Sequence, residues 1–120
     1  MEPVLNPGVF AFVSVKNEAV LRSVKVIASV IEPEGYSAVI AEKDAIALGL
    51  PMLFRAAWIT LTVTSDLQSV GLTAAFASAL GKAGISCNVV AGAYHDHVFV
   101  PVERAADAMK VLKGLQAASK

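Results

Sequence analysis

At 120 residues, with ten acidic side chains balancing ten basic ones, the chain is long enough for a real core but short for two independent domains. Zero formal charge removes the electrostatic case for nucleic acid or anionic membranes, and no basic stripe with interleaved aromatics is present. Hydrophobic residues make up 56% and charged residues 17%, yet no apolar run approaches the ~18–20 residues of a membrane span, so the excess points to an oligomer interface or a sheet covered on both faces. The single Cys87 forms no internal disulfide, and the N-terminal MEPVLNPGVF lacks the basic and apolar regions of a signal peptide, so a cytoplasmic location is expected.

Pro3 and Pro7 restrict the first residues to a short extended lead. Gly8–Val15, GVFAFVSV, is apolar and rich in β-branched and aromatic residues, which predicts a strand. Lys16–Ser23 is polar and reads as a turn with room for one helical turn. Val24–Ile31 predicts a second strand and Tyr36–Ala41 a third, separated by Glu32-Pro33-Glu34-Gly35, where proline sets φ and glycine permits positive φ. Glu42–Leu50 has good helix formers and closes with Gly49 near its C-cap and Pro51 beyond. Pro51–Ala57 reads as a connector, dividing the chain into halves 1–57 and 58–120 that pack as one compact unit.

Trp58–Thr64, WITLTVT, alternates strictly, with Ile59, Leu61 and Val63 on one face and Trp58, Thr60, Thr62 and Thr64 on the other. Ser65 and Gln68 have capping-box spacing. Leu72, Phe76, Ala79, Leu80 and Ala83 then fall on one helical face, and Gly84 ends the helix. Ile85–Tyr94 predicts a strand, His95–Asp96 a turn, His97–Val102 another strand, and Glu103–Ala117 a last helix with Ala105, Ala108, Met109, Leu112 and Leu115 inward. Lys110, Lys113 and Lys120 favour the C-terminal part of that helix electrostatically. The order β-β-β-α, β-α-β-β-α makes an α+β fold of ferredoxin-like type, an antiparallel sheet with helices on one face. The second half lacks a closing strand, which the first half has residues to supply.

Chemistry concentrates in three stretches. In Thr62–Gly92 a strand enters a polar loop, Gly71 opens a helix, and the next strand carries Asn88. Amides in a first helical turn lack intrahelical partners and receive a carboxylate well, and Asn88 offers both a donor and an acceptor. The competing structural account is that Gly71 allows tight packing and Asn88 caps a turn. In EPEG, Glu32 or Glu34, beside Gly35 and Tyr36, suits an ammonium group, although an exposed acidic turn accounts for the same residues. In AYHDHVFV, His95 and His97 point one way on an extended chain and Asp96 the other. A metal site needs more ligands than these, and no Gly-x-Ser-x-Gly, phosphate loop or Cys–His signature supports catalysis. A polar hairpin turn, or a wall of a ligand or subunit interface, also explains the block.

The loop Asp66…Gly71-Leu72, the run Ala79-Leu80-Gly81-Lys82-Ala83-Gly84-Ile85 and the pair Asn88-Val89 resemble the ACT domain, a regulatory module that binds amino acids and similar small ligands. With EPEGYSAVI and ISCNVVAGAYHDHVFVP, most of the chain resembles small bacterial stand-alone proteins with two ACT-like halves. The usual ACT loop has a proline before its glycine, where this chain has Val70. The resemblance implies a non-catalytic amino-acid sensor without a cofactor, working as a homodimer. Its ligand contacts would come from Ser65, Asp66, Val70, Gly71, Leu72 and Asn88, from Glu32, Glu34, Gly35 and Tyr36, and from His95, Asp96 and His97. An assembly module without ligand, and a minor enzyme or metal protein built on His95, Asp96 and His97, remain the alternatives.

Overall fold

The computed structural model describes residues 2–62 and 72–118. It resolves two compact units, one of Gly8–Ala56 and one that combines Ala57 onward with the N-terminal residues through Pro7.

In the first unit the strands are β2 (Phe10–Val15), β3 (Val26–Glu32), β4 (Gly35–Ala41) and the opening residues of β5 (Phe54–Leu61); β1 (Pro3–Leu5) belongs to the other unit. β2 pairs antiparallel with β4 from Phe10↔Ala41 to Val15↔Tyr36, and with β5 through Phe10↔Ala56 and Phe12↔Phe54. Both faces of β2 are apolar because both are used. Ala11, Val13 and Val15 join Leu21, Ala38, Ile40 and Ala45 in a core beneath the helical layer. On the opposite face Phe12 meets Phe54 edge-on, with ring centroids 5.3 Å apart. The helical layer is thin. It has one 3₁₀ turn, Glu18–Leu21, and the short α1 (Glu42–Ala47). α1 stops as its sequence demands: Gly49 has φ +66°, Gly49 N–H bonds Ile46 O, and Leu50 N–H bonds Ala45 O, the Schellman arrangement. Arg55 on β5 hydrogen-bonds Glu42, which holds that carboxyl below its usual range.

The connector expected at Pro51–Ala57 is strand from Phe54 on, because Phe54–Ala56 find partners on β2 that no local pattern reveals.

The second unit contains β1, the rest of β5, α2 (Leu72–Lys82), β6 (Asn88–Ala91), β7 (Asp96–Pro101), a 3₁₀ turn at Val102–Arg104 and α3 (Ala105–Ala118). Ile59, Leu61, Val98 and Val100 of the sheet pack on Phe76 and Leu80 of α2 and Ala108 and Leu112 of α3. The missing closing strand is β1, which pairs antiparallel with β5 from Pro3↔Leu61 to Leu5↔Ile59. Residues 2–7 therefore lie with the later half and not with residues 8–57, since an extended lead with Pro3 at its start suits an outer strand. With β1 in place the strand order is β1-β5-β7-β6, and in the first unit β5-β2-β4-β3. Counted from β2 in the first unit and from β5 in the second, with β1 as the closing fourth strand, both are the 4-1-3-2 order of a ferredoxin-like unit.

Two boundaries differ from expectation. Ile85 is not strand but the capping residue of α2: Gly84 has φ +73°, Ile85 N–H bonds Leu80 O at 2.9 Å, and the Ile85 side chain is buried, so β6 waits until Asn88. Ala83, placed on the apolar face by periodicity, is exposed because the chain leaves the helix there. The AYHDHVFV stretch is the hairpin joining β6 to β7, closed by Ala91↔Asp96 and a Gly92 N–H bond to His95 O.

Candidate functional site

The site is built where the first unit runs out of helix. β2 ends at Val15, and Asn17 turns the chain in an extended conformation (φ −158°, ψ 169°) while its Oδ1 accepts the Ala19 N–H at 2.9 Å. That cap starts the 3₁₀ turn, and the buried Leu21 anchors it to the core. Two adjoining cavities follow, of about 540 and 220 Å³, sharing Asn17, Glu18 and Tyr36. Arg22 and Val26 line the larger; Lys16, Ile31, Glu32 and Gly35 line the smaller. Glu32 accepts a hydrogen bond from the Ser37 hydroxyl. Gly35 is needed for closeness: a Cβ there would lie 2.8 Å from Val15 O. The cleft thus carries cations (Lys16, Arg22) and anions (Glu18, Glu32) around one phenol, charges complementary to those of a small zwitterion.

Three of the residues singled out in the sequence, Glu32, Gly35 and Tyr36, meet in this cleft, and Glu34 lies outside it in the exposed turn. Lys16, Asn17, Glu18 and Arg22 escaped sequence reading, because a polar segment after a strand looks like any turn. An Asn-Glu pair directly after an apolar strand was the available signal. Asn88 is exposed at the start of β6, opposite Phe99, and Leu72 begins α2. Ser65, Asp66, Val70 and Gly71 fall outside the described residues.

The histidine hairpin is tied into the sheet of the second unit. His95 precedes β7, Asp96 is buried, and His97 is half-buried. Trp58 Nε1–H donates to His97 Nδ1 at 3.0 Å, and the Thr60 hydroxyl lies 3.2 Å from the same nitrogen. Asn6 Nδ2–H in turn donates to Thr60 Oγ1 at 2.9 Å and to Trp58 O at 3.2 Å. Trp58 also stacks on Phe99, with centroids 6.3 Å apart. Burial lowers the His97 pKa and the neighbouring His95 lowers it further, against an opposing pull from Asp96. A neutral ring with Nδ1 as acceptor satisfies this network, which ties the residue after β1 to β5 and β7. Among the described residues no three His, Cys, Asp or Glu side chains come together as a metal site. Burial pushes the Cys87 thiol up, away from the thiolate a nucleophile needs. No helix among the described residues is long and apolar enough to cross a membrane.

Two ferredoxin-like units, β5 continuing from one into the other through Ala56 and Ala57 and the N-terminal β1 completing the second, define a double α+β module. Family models described as ACT domain match residues 1–57 and 54–114, and the chain belongs to the ACT-domain family. The overlap of the two matches, residues 54–57, lies in β5, the last strand of one unit and the first of the next. Membership carries a regulatory, ligand-binding role in general.

Among solved structures, a Vibrio cholerae protein of unknown function, described as a possible transport protein, is 41% identical, covering 95% of this chain and 88% of that one with a TM-score of 0.86. An Agrobacterium tumefaciens protein is similar at 15% identity, over 95% and 87% of the two chains, with a TM-score of 0.71. The regulatory subunit of aspartate kinase from Thermus thermophilus, in its ligand-free form, shares 12% identity over 96% and 97% of the two chains, with a TM-score of 0.71. The last two likenesses are of fold. No curated protein sequence matches the chain.

Proposed function

We propose that the protein is a non-catalytic sensor of a free amino acid that acts as a homodimer and regulates a partner through the ligand's preference for one arrangement of the chain. The observation that carries this reading is the cleft of the first unit, where Lys16 and Arg22 suit a carboxylate, Glu18 and Glu32 an ammonium group, and Tyr36 a side chain. Ser65, Asp66, Val70, Gly71, Leu72 and Asn88 are the corresponding ligand-binding candidates in the second half, with the hairpin residues His95, Asp96 and His97. A ligand that binds one arrangement more tightly shifts the population toward it.

A thermal-shift screen of the twenty amino acids on the intact protein tests the reading. At a concentration about one hundred times its Kd, a ligand stabilises by about 2.7 kcal/mol, which raises Tm by on the order of 10 °C. Arg22→Ala is expected to weaken that ligand about tenfold to a hundredfold, the loss of one charge-assisted hydrogen bond, with unliganded Tm unchanged. No response to any amino acid at millimolar concentration would leave the assembly-module alternative standing.

A further inference from the structure

Of the charges around the cleft of the first unit, only some are open to a ligand. Four ionisable side chains of fixed sign line it: Lys16, Glu18, Arg22 and Glu32. Among the described residues no ion pair or side-chain hydrogen bond holds Lys16, Glu18 or Arg22. Glu32 differs. Its Oε1 accepts the Ser37 hydroxyl, and Ser37 lines neither cavity, so this carboxylate is tied along the β3–β4 pair. Exposed Lys25 and Glu34, the charged chain neighbours of lining residues, stand outside the lining and offset each other. Two free cations and one free anion remain, the complement of a ligand with two anionic groups and one cationic group.

The charges are also divided between the cavities in a useful way. An amino-acid head group carries its carboxylate and ammonium on one carbon, so one cavity must serve both. The larger does so, with Glu18 and Arg22 at the two ends of the 3₁₀ turn. Its volume of about 540 Å³ lies within the roughly 300–1,000 Å³ of small-molecule sites. The smaller cavity shares Asn17, Glu18 and Tyr36 with it and adds Lys16. Asn17 Oδ1 is occupied by the Ala19 N–H, which leaves the Asn17 side-chain amide as a donor common to both cavities. A ligand that extends from Glu18 and Arg22 toward Lys16 meets a second cation and an amide donor, the partners of a second carboxylate. A basic side chain there would set cation against cation, and a neutral one would leave Lys16 without a partner.

We infer that the cleft takes a dicarboxylic amino acid, of the class of aspartate and glutamate. Its α-carboxylate lies on Arg22, its α-ammonium on Glu18, and its side-chain carboxylate on Lys16 and Asn17. The inference rests on the amino-acid sensor reading above and adds the class of its ligand. Isothermal titration of the full chain with each of the twenty amino acids tests it. Aspartate or glutamate is expected to bind at least about tenfold more tightly than asparagine and glutamine, one charge-assisted contact being gained, and lysine more weakly than either amide. Lys16→Gln is expected to weaken the acidic ligand about tenfold and leave the amides within about twofold, a split that a merely structural role would not produce. Glu18→Gln is expected to weaken all of them about tenfold, and Glu32→Gln to leave the acidic ligand no weaker. A neutral or basic amino acid bound as tightly as the acidic pair, an acidic preference that survives Lys16→Gln, or a Glu32→Gln loss larger than that of Glu18→Gln overturns the dicarboxylate assignment and leaves the sensor standing. Binding of none of the twenty at millimolar concentration overturns the sensor reading as well.

Discussion

The two units share one strand order and differ in how much helix lies on it. The second carries helices of 11 and 14 residues, about 16 and 21 Å long at 1.5 Å per residue, which match strands of six to eight residues. The first carries a 3₁₀ turn of four residues, only about 8 Å long, and an α-helix of six. A sheet covered by long helices fills with Phe76, Leu80 and Leu112; one covered by a short turn leaves the strand ends open beside it. The cleft at Asn17, Glu18 and Tyr36 is that uncovered ground. The candidate cleft thus arises from a shortened element and not from an added one.

The contrast can be tested by damaging each unit in turn. Phe76→Ala is expected to have the largest effect, because the ring is wholly buried between helix and sheet: a loss of about 3–5 kcal/mol in urea unfolding. If it costs under about 1 kcal/mol, the second unit is not the well-filled one. Gly35→Ala comes next. Its Cβ would meet the Val15 carbonyl oxygen at 2.8 Å, so β2 and β4 must separate at the cleft, at a cost of about 1–3 kcal/mol with weaker amino-acid binding. Unchanged stability and binding would show that the close approach at Gly35 does not shape the cleft.

The smallest effect is a pH dependence confined to the second unit. His97 is held below its ordinary value near 6.5, so as pH falls the unfolded chain takes up this proton first. The contribution is complete above about pH 6.5 and declines as pH drops from there to the folded value. Trp58, the only tryptophan, donates to this ring, so its fluorescence reports both the titration and the unfolding. His97→Asn is expected to flatten that window; a profile identical to wild type would remove His97 from it.

Much of the architecture was legible along the chain. The apolar run at Phe10–Val15, the alternation at Ile59 and Leu61, and the helical face of Phe76 and Leu80 each report burial through a local period. Gly49 did the work expected of it at the end of α1. The EPEG turn fell where its turn residues placed it, whereas the AYHDHVFV hairpin turns earlier than expected: β6 stops at Ala91, and Asp96, expected in the turn, already pairs in β7. The site was legible only in part. Glu32, Gly35 and Tyr36 of the candidate cleft stand out in the sequence, whereas Lys16, Glu18 and Arg22 do not, because nothing in their own pattern separates a cleft wall from an exposed turn.

What the amino-acid order determined by itself is which residues are extended, which are helical and where the turns lie, because side-chain period and backbone freedom act over a few neighbours. Only the tertiary structure decided that Pro3–Leu5 closes the sheet of the later half, that β5 serves two units, and that Asn6, Trp58, Thr60 and His97 form one network. Those outcomes depend on hydrogen-bond partners and core space contributed by residues far apart in the chain, which no local window contains.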